Sequence, residues 1–308
     1  MKKSLLFGAA ACLLALSGCN NNDYTYTWPT TLSTLNLITD ANGNTTVSPG
    51  IYSVSRTETH ESLTGYIVVN NLAINPDAPV GFATVEQNIK SDEYGLAYYF
   101  ANAQSATNGY TLQNANFEIT RYFYWPKNTE FRYPGEVVIA QYEVNNAYKV
   151  KTFQPVTCYN GETTTSFPYM GQNMTNTTST IQYMFTLDYE KNTADVIMLN
   201  AKFSGVPAEP EKEQVQVKGL KVSYDNAQIS ASGENITSIM VEGGATTPNE
   251  DYVFKSITFN TTNSDLTEVE IHYVIETPMR NQGQIMTDDA GNPIMVNYIG
   301  DFKGSFVP

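Results

Sequence analysis

The sequence predicts an all-β protein: antiparallel β-sandwich or small-barrel domains, two in tandem, with at most one short helix. Three observations lead there. Apolar and polar residues alternate in many short runs, the period at which a strand turns one face to a core. Turn-forming clusters (ANGN, NPDAP, WPKN, YPGE, EKNT, PNED, DAGN) separate those runs at intervals of about 8 to 15 residues, the rhythm of sandwiches and barrels. Aromatic residues are abundant, with 21 Tyr and 14 Phe in 308 residues, and such rings suit a pleated, half-buried surface.

Along the chain, GIYSVSR follows a turn at SPG and reads as a strand, as does GYIVVNNLAIN before Pro76. Val85 and Ile89 stand four apart, the spacing of one helical face, so a short helix is expected over Ala83–Lys90. NFEITRYFYW alternates through Phe117, Ile119, Arg121, Phe123 and Trp125. GEVVIAQYEV, IQYMFTLDYE, ADVIMLNAKF, QVQVKGLKVSY, FKSITFN, TEVEIHYVIE and NPIMVNYIG continue the pattern. LDYEKNTADVIM reads as a hairpin with Lys191 and Asn192 at its tip. LITDANGNTTV and IMTDDAGNPIMV read as tight turns, with Asp40 and Asp289 ahead of Gly43 and Gly291. Neither turn supplies the six to eight oxygens that calcium takes, so plain turns are expected and no metal site.

Three pairs of stretches resemble one another, at offsets of 130, 129 and 142 residues in chain order. Residues 48–55 match 178–185, residues 65–74 match 194–203, and residues 110–120 match 252–262. A weak duplication would give that order, with a seam in Asn160–Gly171 and an insertion over Pro207–Gly219; without a duplication the chain reads as one long sandwich. The expected organisation is 1–18 as a cleaved signal, 19–30 as a tether, 31–160 as one β domain and 161–308 as a second.

The N-terminus carries the most specific motif. Lys2 and Lys3 precede SLLFGAAACLLALSG, an uncharged apolar run shorter than the roughly 20 residues of a spanning helix. Leu16-Ser17-Gly18-Cys19 closes it and resembles the lipobox of bacterial lipoproteins. That resemblance implies cleavage before Cys19, a diacylglyceryl thioether on its sulfur and an acylated new amine. More than one acyl chain makes anchoring stable. The following Asn20-Asn21-Asn22-Asp23 is similar to the export signal of Bacteroidetes surface lipoproteins. The implied location is an outer membrane, with the body at the cell surface or the periplasmic face.

Cleavage would remove two of the 17 basic residues and none of the 31 acidic ones, taking the net charge from −14 to about −16. Such a balance argues against nucleic acid, whose phosphates need Lys and Arg, and against a polybasic grip on anionic lipid. Cys19 and Cys158 would be the remaining cysteines, and Cys158 reads as a buried small residue. His60 and His272 show no ligand spacing, so no metal or cofactor is expected. Glu268 and Glu270 share one strand face, the arrangement of a solvated strand rather than of a catalytic acid pair. No catalytic constellation appears. RYFYWPKNTEFRY offers a binding platform instead: Tyr122, Tyr124 and Trp125 for stacking a sugar ring, Arg121 and Arg132 for its hydroxyls. The same rings, like Tyr98, Tyr99 and Phe100, also suit cross-strand packing. The expected function is non-catalytic binding of a glycan or an envelope protein. A fimbria-like structural subunit and a carbohydrate-active hydrolase are the alternatives.

Overall fold

Alternating runs of this kind bury one face only when their strands pair laterally, and here they pair into a half-barrel and a closed barrel. The computed structural model describes residues 24–74, 78–121, 135–169, 171–203, 211–262, 266–281 and 284–307. All regular elements among them are strands. The first sheet contains β1 (Thr25–Asp40), β2 (Thr45–Thr59), β3 (Leu63–Leu72), β4 (Val80–Ala83), β5 (Gln87–Asn88), β6 (Lys90–Ser91), β7 (Ala97–Phe100), β8 (Leu112–Arg121), β9 (Glu136–Val144) and β10 (Tyr148–Phe153). The second contains β11 (Val156–Tyr169), β12 (Gln172–Thr178), β13 (Gln182–Asp188), β14 (Thr193–Ala201), β15 (Lys212–Asp225), β16 (Gln228–Glu242), β17 (Ala245–Thr261) and β18 (Glu268–Pro278). After the two-residue strands β19 (Arg280–Asn281) and β20 (Gln284–Ile285), β21 (Met295–Phe306) completes it.

The second sheet is a meander that closes into an eight-stranded barrel, β11-β13-β14-β15-β16-β17-β18-β21, with β21 pairing back onto β11. The first sheet is a half-barrel in which β1 pairs with β2 on one side and β10 on the other. Its edges are bridged by one stretch of chain: β4 and β5 pair with β3, and β6 pairs with β7. The three resembling sequence pairs fall on β2 and β13, on β3 and β14, and on β8 and β17.

That bridging stretch is where a helix over Ala83–Lys90 was expected, and the expectation fails. Ile89 N–H donates to Leu63 O and Val85 N–H to Gln104 O, so the backbone is committed to neighbouring strands. Ile89 is buried and Val85 exposed, so the two do not form one apolar face. β1 begins at Thr25, inside the stretch read as tether, and the change of sheet falls between Phe153 and Val156 rather than at 160. The Gly-, Thr- and Pro-rich stretch 160–169 is strand because glycine there serves close approach, not a turn.

Inside the barrel the rings of Tyr183 and Phe302 stack at 4.1 Å and those of Phe185 and Phe259 at 4.0 Å. An eight-stranded barrel is just wide enough for side chains to fill it. β18 shows the alternation plainly: Val269, Ile271, Tyr273 and Ile275 are buried, while Glu268, Glu270 and His272 are exposed. Apolar inside and polar outside is the reverse of a lipid-embedded barrel. Leu35, Leu37 and Phe153 of the first sheet join this core, and Val137 packs with Cys158, Met184, Ile197 and Leu199 on the barrel's outside. Cys158 is therefore a buried packing residue. Within the first sheet the hydroxyls of Tyr52 and Tyr142 meet at 2.8 Å, and Tyr52 donates to Asn36 Oδ1 at 2.6 Å.

The Asx turns take the expected form with one correction. Asp40 accepts from Asn42 N–H and Asn44 N–H. In the second turn Asp288, not Asp289, accepts from Ala290 N–H and Asn292 N–H. The same three-residue lead over glycine recurs in both. The Asn44 side-chain amide, with the backbone N–H groups of Asn44 and Asn42, holds the Asp40 carboxyl below its ordinary pKa, and the Asn292 backbone N–H and side-chain amide do the same for Asp288.

Closure depends on glycine at the β11–β21 seam. Gly300 lies opposite Tyr273, and a Cβ there would stand 2.0 Å from the tyrosine ring. A Cβ on Gly161 would stand 2.0 Å from Lys303 O of the partner strand. Gly300→Val is expected to lower unfolding free energy by about 1–3 kcal/mol through overpacking, measured by urea denaturation. Adding Tyr273→Ala, which removes the ring, should make the Gly300→Val step nearly neutral. Equal losses in both backgrounds would refute the steric account.

Candidate functional site

A groove of about 530 Å³ runs over the outer face of the first sheet, bounded on one side by Thr267 of the β17–β18 turn. The register aligns its floor. Tyr99, Glu118 and Ile139 form one cross-strand row, and Asn116, Gln141 and Lys151 form the next. These side chains point away from the core because their neighbours Phe100, Phe117, Ala140 and Val150 point into it.

Two irregularities open the groove. β8 bulges between Gln113 and Asn116, with Asn114 at φ 50°, and a bulge re-aims the side chains beside it. Asn116 is locked there, its Oδ1 accepting from Asn102 N–H and its Nδ2 donating to Asn114 O. Thr152 turns onto β9, accepting from Ala140 N–H at 2.7 Å and donating to Val138 O at 3.0 Å. The result is an apolar strip from Tyr99 and Ile139, edged by amides, the Glu118 carboxyl and the Lys151 side chain. Amide side chains carry both donors and acceptors, so the lining suits a hydroxyl-rich ligand. Burial pushes the Glu118 carboxyl above its ordinary value of 4.5.

Of the residues singled out in the sequence for ligand binding, Arg121 ends β8, opposite Glu136. Tyr122, Tyr124, Trp125 and Arg132 lie outside the described residues, as does Cys19. Arg121 belongs to the rim of the half-barrel rather than to the groove. There Arg56, only 1% exposed, donates to Glu136 at 3.0 Å and to Thr30. The guanidinium packs on Tyr98 at 4.6 Å and on Trp28 at 5.5 Å. The sequence signal for this cluster was available: in GIYSVSR, Arg56 is in phase with Tyr52 and Val54, which face the core. The groove had no such signal, because its residues come from four strands spread between Tyr99 and Lys151.

The remaining candidates stay apart. Glu268 and Glu270 are exposed, with Glu270 paired to Lys303 at 2.6 Å. His272 Nδ1 lies 2.8 Å from Asp301 on the barrel's outer face, whereas His60 is exposed at the β2–β3 turn. Together the geometry defines an all-β protein of a half-barrel packed on a closed barrel, with a polar groove on the first sheet. The chain matches no protein-family model, and no curated protein matches it in sequence.

The raised Glu118 pKa has a signed consequence. The folded state holds this proton more tightly than the unfolded chain, so the stabilisation is complete below 4.5 and is lost as pH rises through the folded pKa. Glu118→Gln keeps a neutral side chain throughout. The stability difference, variant minus wild type, should grow across that window in urea titrations at stepped pH. A difference that is flat with pH would show that the carboxyl is not desolvated.

Proposed function

We propose that this chain is a lipid-anchored, non-catalytic envelope protein that binds a glycan in the groove over β7–β10. The observation that carries the binding assignment is the groove's makeup: an exposed tyrosine ring beside amide side chains, that of Asn116 held by two hydrogen bonds, on strands held by pairing on both sides. Sugars present C–H faces that pack on aromatic rings and hydroxyls that need donors and acceptors together. A site on strands is better ordered than one on loops. The anchor rests on Leu16-Ser17-Gly18-Cys19 and the apolar run before it, and an acidic body fits a protein that meets neutral polymers in water. An outer-membrane location follows from the same N-terminus.

Two measurements test the two halves. Radiolabelled palmitate should label wild type and not Cys19→Ser. On a glycan array, the Cys19→Ser protein should bind a defined set of glycans, and Tyr99→Ala should weaken the best of them by about tenfold, the loss of roughly 1.4 kcal/mol. Gln141→Ala should weaken it less. Binding untouched by both substitutions would remove the groove from the assignment.

A further inference from the structure

We infer that the rim of the half-barrel around Tyr24, Tyr26, Trp28 and Tyr94 rests on the headgroups of a zwitterionic phospholipid bilayer; this rests on the anchor proposed at Cys19. Tyr24 and Tyr26 are 51% and 57% exposed, and Tyr94 is 74% exposed, the highest value among the exposed large apolar side chains. Tyr26 stacks on Trp28 at 5.2 Å, and Trp28 meets Tyr98 edge-on at 5.9 Å. Behind them Arg56, bonded to Glu136, packs on Trp28 and Tyr98 at the strand end. The β2–β3 turn and the β6–β7 turn that carries Tyr94 close the same end of the sheet: Thr25 pairs with Thr59, Arg56 near the end of β2 bonds Glu136 at the start of β9, Glu136 pairs with Arg121, and the adjoining Thr120 pairs with Ala97 at the start of β7.

Chain length sets the occupant. Tyr24 follows Cys19 by five residues, which reach about 18 Å at full extension. Acyl chains on Cys19 therefore keep this rim within about the depth of the interfacial layer and a short linker from the hydrocarbon. Tyr and Trp favour that layer, being apolar in the ring and polar at the tip. The charges nearby choose the headgroup. Glu58, which accepts from the Tyr24 hydroxyl at 3.3 Å, and the exposed Glu61 and Glu93 outnumber the exposed Arg121 on this rim, and together they repel anionic lipid. They suit the ammonium group of phosphatidylethanolamine or phosphatidylcholine, which also packs favourably on tyrosine faces.

The chain has two tryptophans, so a Trp125→Phe variant leaves Trp28 as the sole reporter. The full mature protein, purified with its anchor and reconstituted into phosphatidylethanolamine–phosphatidylcholine vesicles, is tested for quenching of Trp28 by iodide and by lipid brominated near the headgroup. The iodide quenching constant should fall by about twofold or more on reconstitution, with quenching by the brominated lipid. In the unsubstituted protein, hydroxyl-radical footprinting should show Tyr24, Tyr26 and Tyr94 protected in vesicles, which covers a variant that fails to fold. Intact mass separates the two ideas. A Cys19 without acyl chains overturns the anchor and this inference with it. An acylated, vesicle-bound protein whose Trp28 and tyrosines are as accessible as in detergent-free solution of the Cys19→Ser protein overturns the rim alone.

Discussion

The seam between β11 and β21 is the constraint on which the rest of the molecule depends. An open sheet leaves a row of unpaired N–H and C=O groups at each edge, and ring closure removes it. Here closure joins residues 159–166 to residues 299–306, segments separated by most of the second sheet. They approach only because Gly161 and Gly304 face each other without side chains and Gly300 lets the Tyr273 ring lie across the strand. With the ring closed, aromatic side chains from opposite strands meet inside, and the outer face is left to ion pairs such as Glu270–Lys303.

A closed barrel still has ends and an outer wall, and the first sheet uses both. Leu35, Leu37 and Phe153 extend the barrel's core, Phe153 reaching Phe185 with ring centroids 6.5 Å apart. Val137 covers the wall at Cys158 and Ile197. The first sheet thus buries residues on both faces near the junction, while farther out its outer face parts from the barrel at Thr267 and becomes the groove. The packing surface and the groove are two regions of one sheet face. That arrangement gives Tyr99 and Gln141 a floor that does not depend on loops.

Local physics was legible in the sequence. The alternation in TEVEIHYVIE gave the inward Val269, Ile271, Tyr273 and Ile275, and Asp40 with Gly43 gave an Asx turn. Lys191 and Asn192 mark a hairpin tip, with Asn192 at φ 52°. Features made by register were not legible. Glycines at 161 and 300 look like turn formers until their cross-strand partners are known, and the groove's residues share no periodic run. Val85 and Ile89 carry helical spacing, but the open backbone groups of β3 and the 101–106 segment outweigh one pair of apolar residues. In RYFYWPKNTEFRY only Arg121 falls among the described residues, and its place is on the rim.

Amide hydrogen exchange across the barrel tests the central claim most directly. If closure at the seam holds the barrel together, amides in residues 159–166 and 299–306 that bond across it will exchange only through global unfolding. Their opening free energy will equal that of the β14–β15 pair. Seam amides that exchange through a cheaper local opening, while β14 and β15 stay protected, would mean that the barrel stands without its closing strand and would contradict the account.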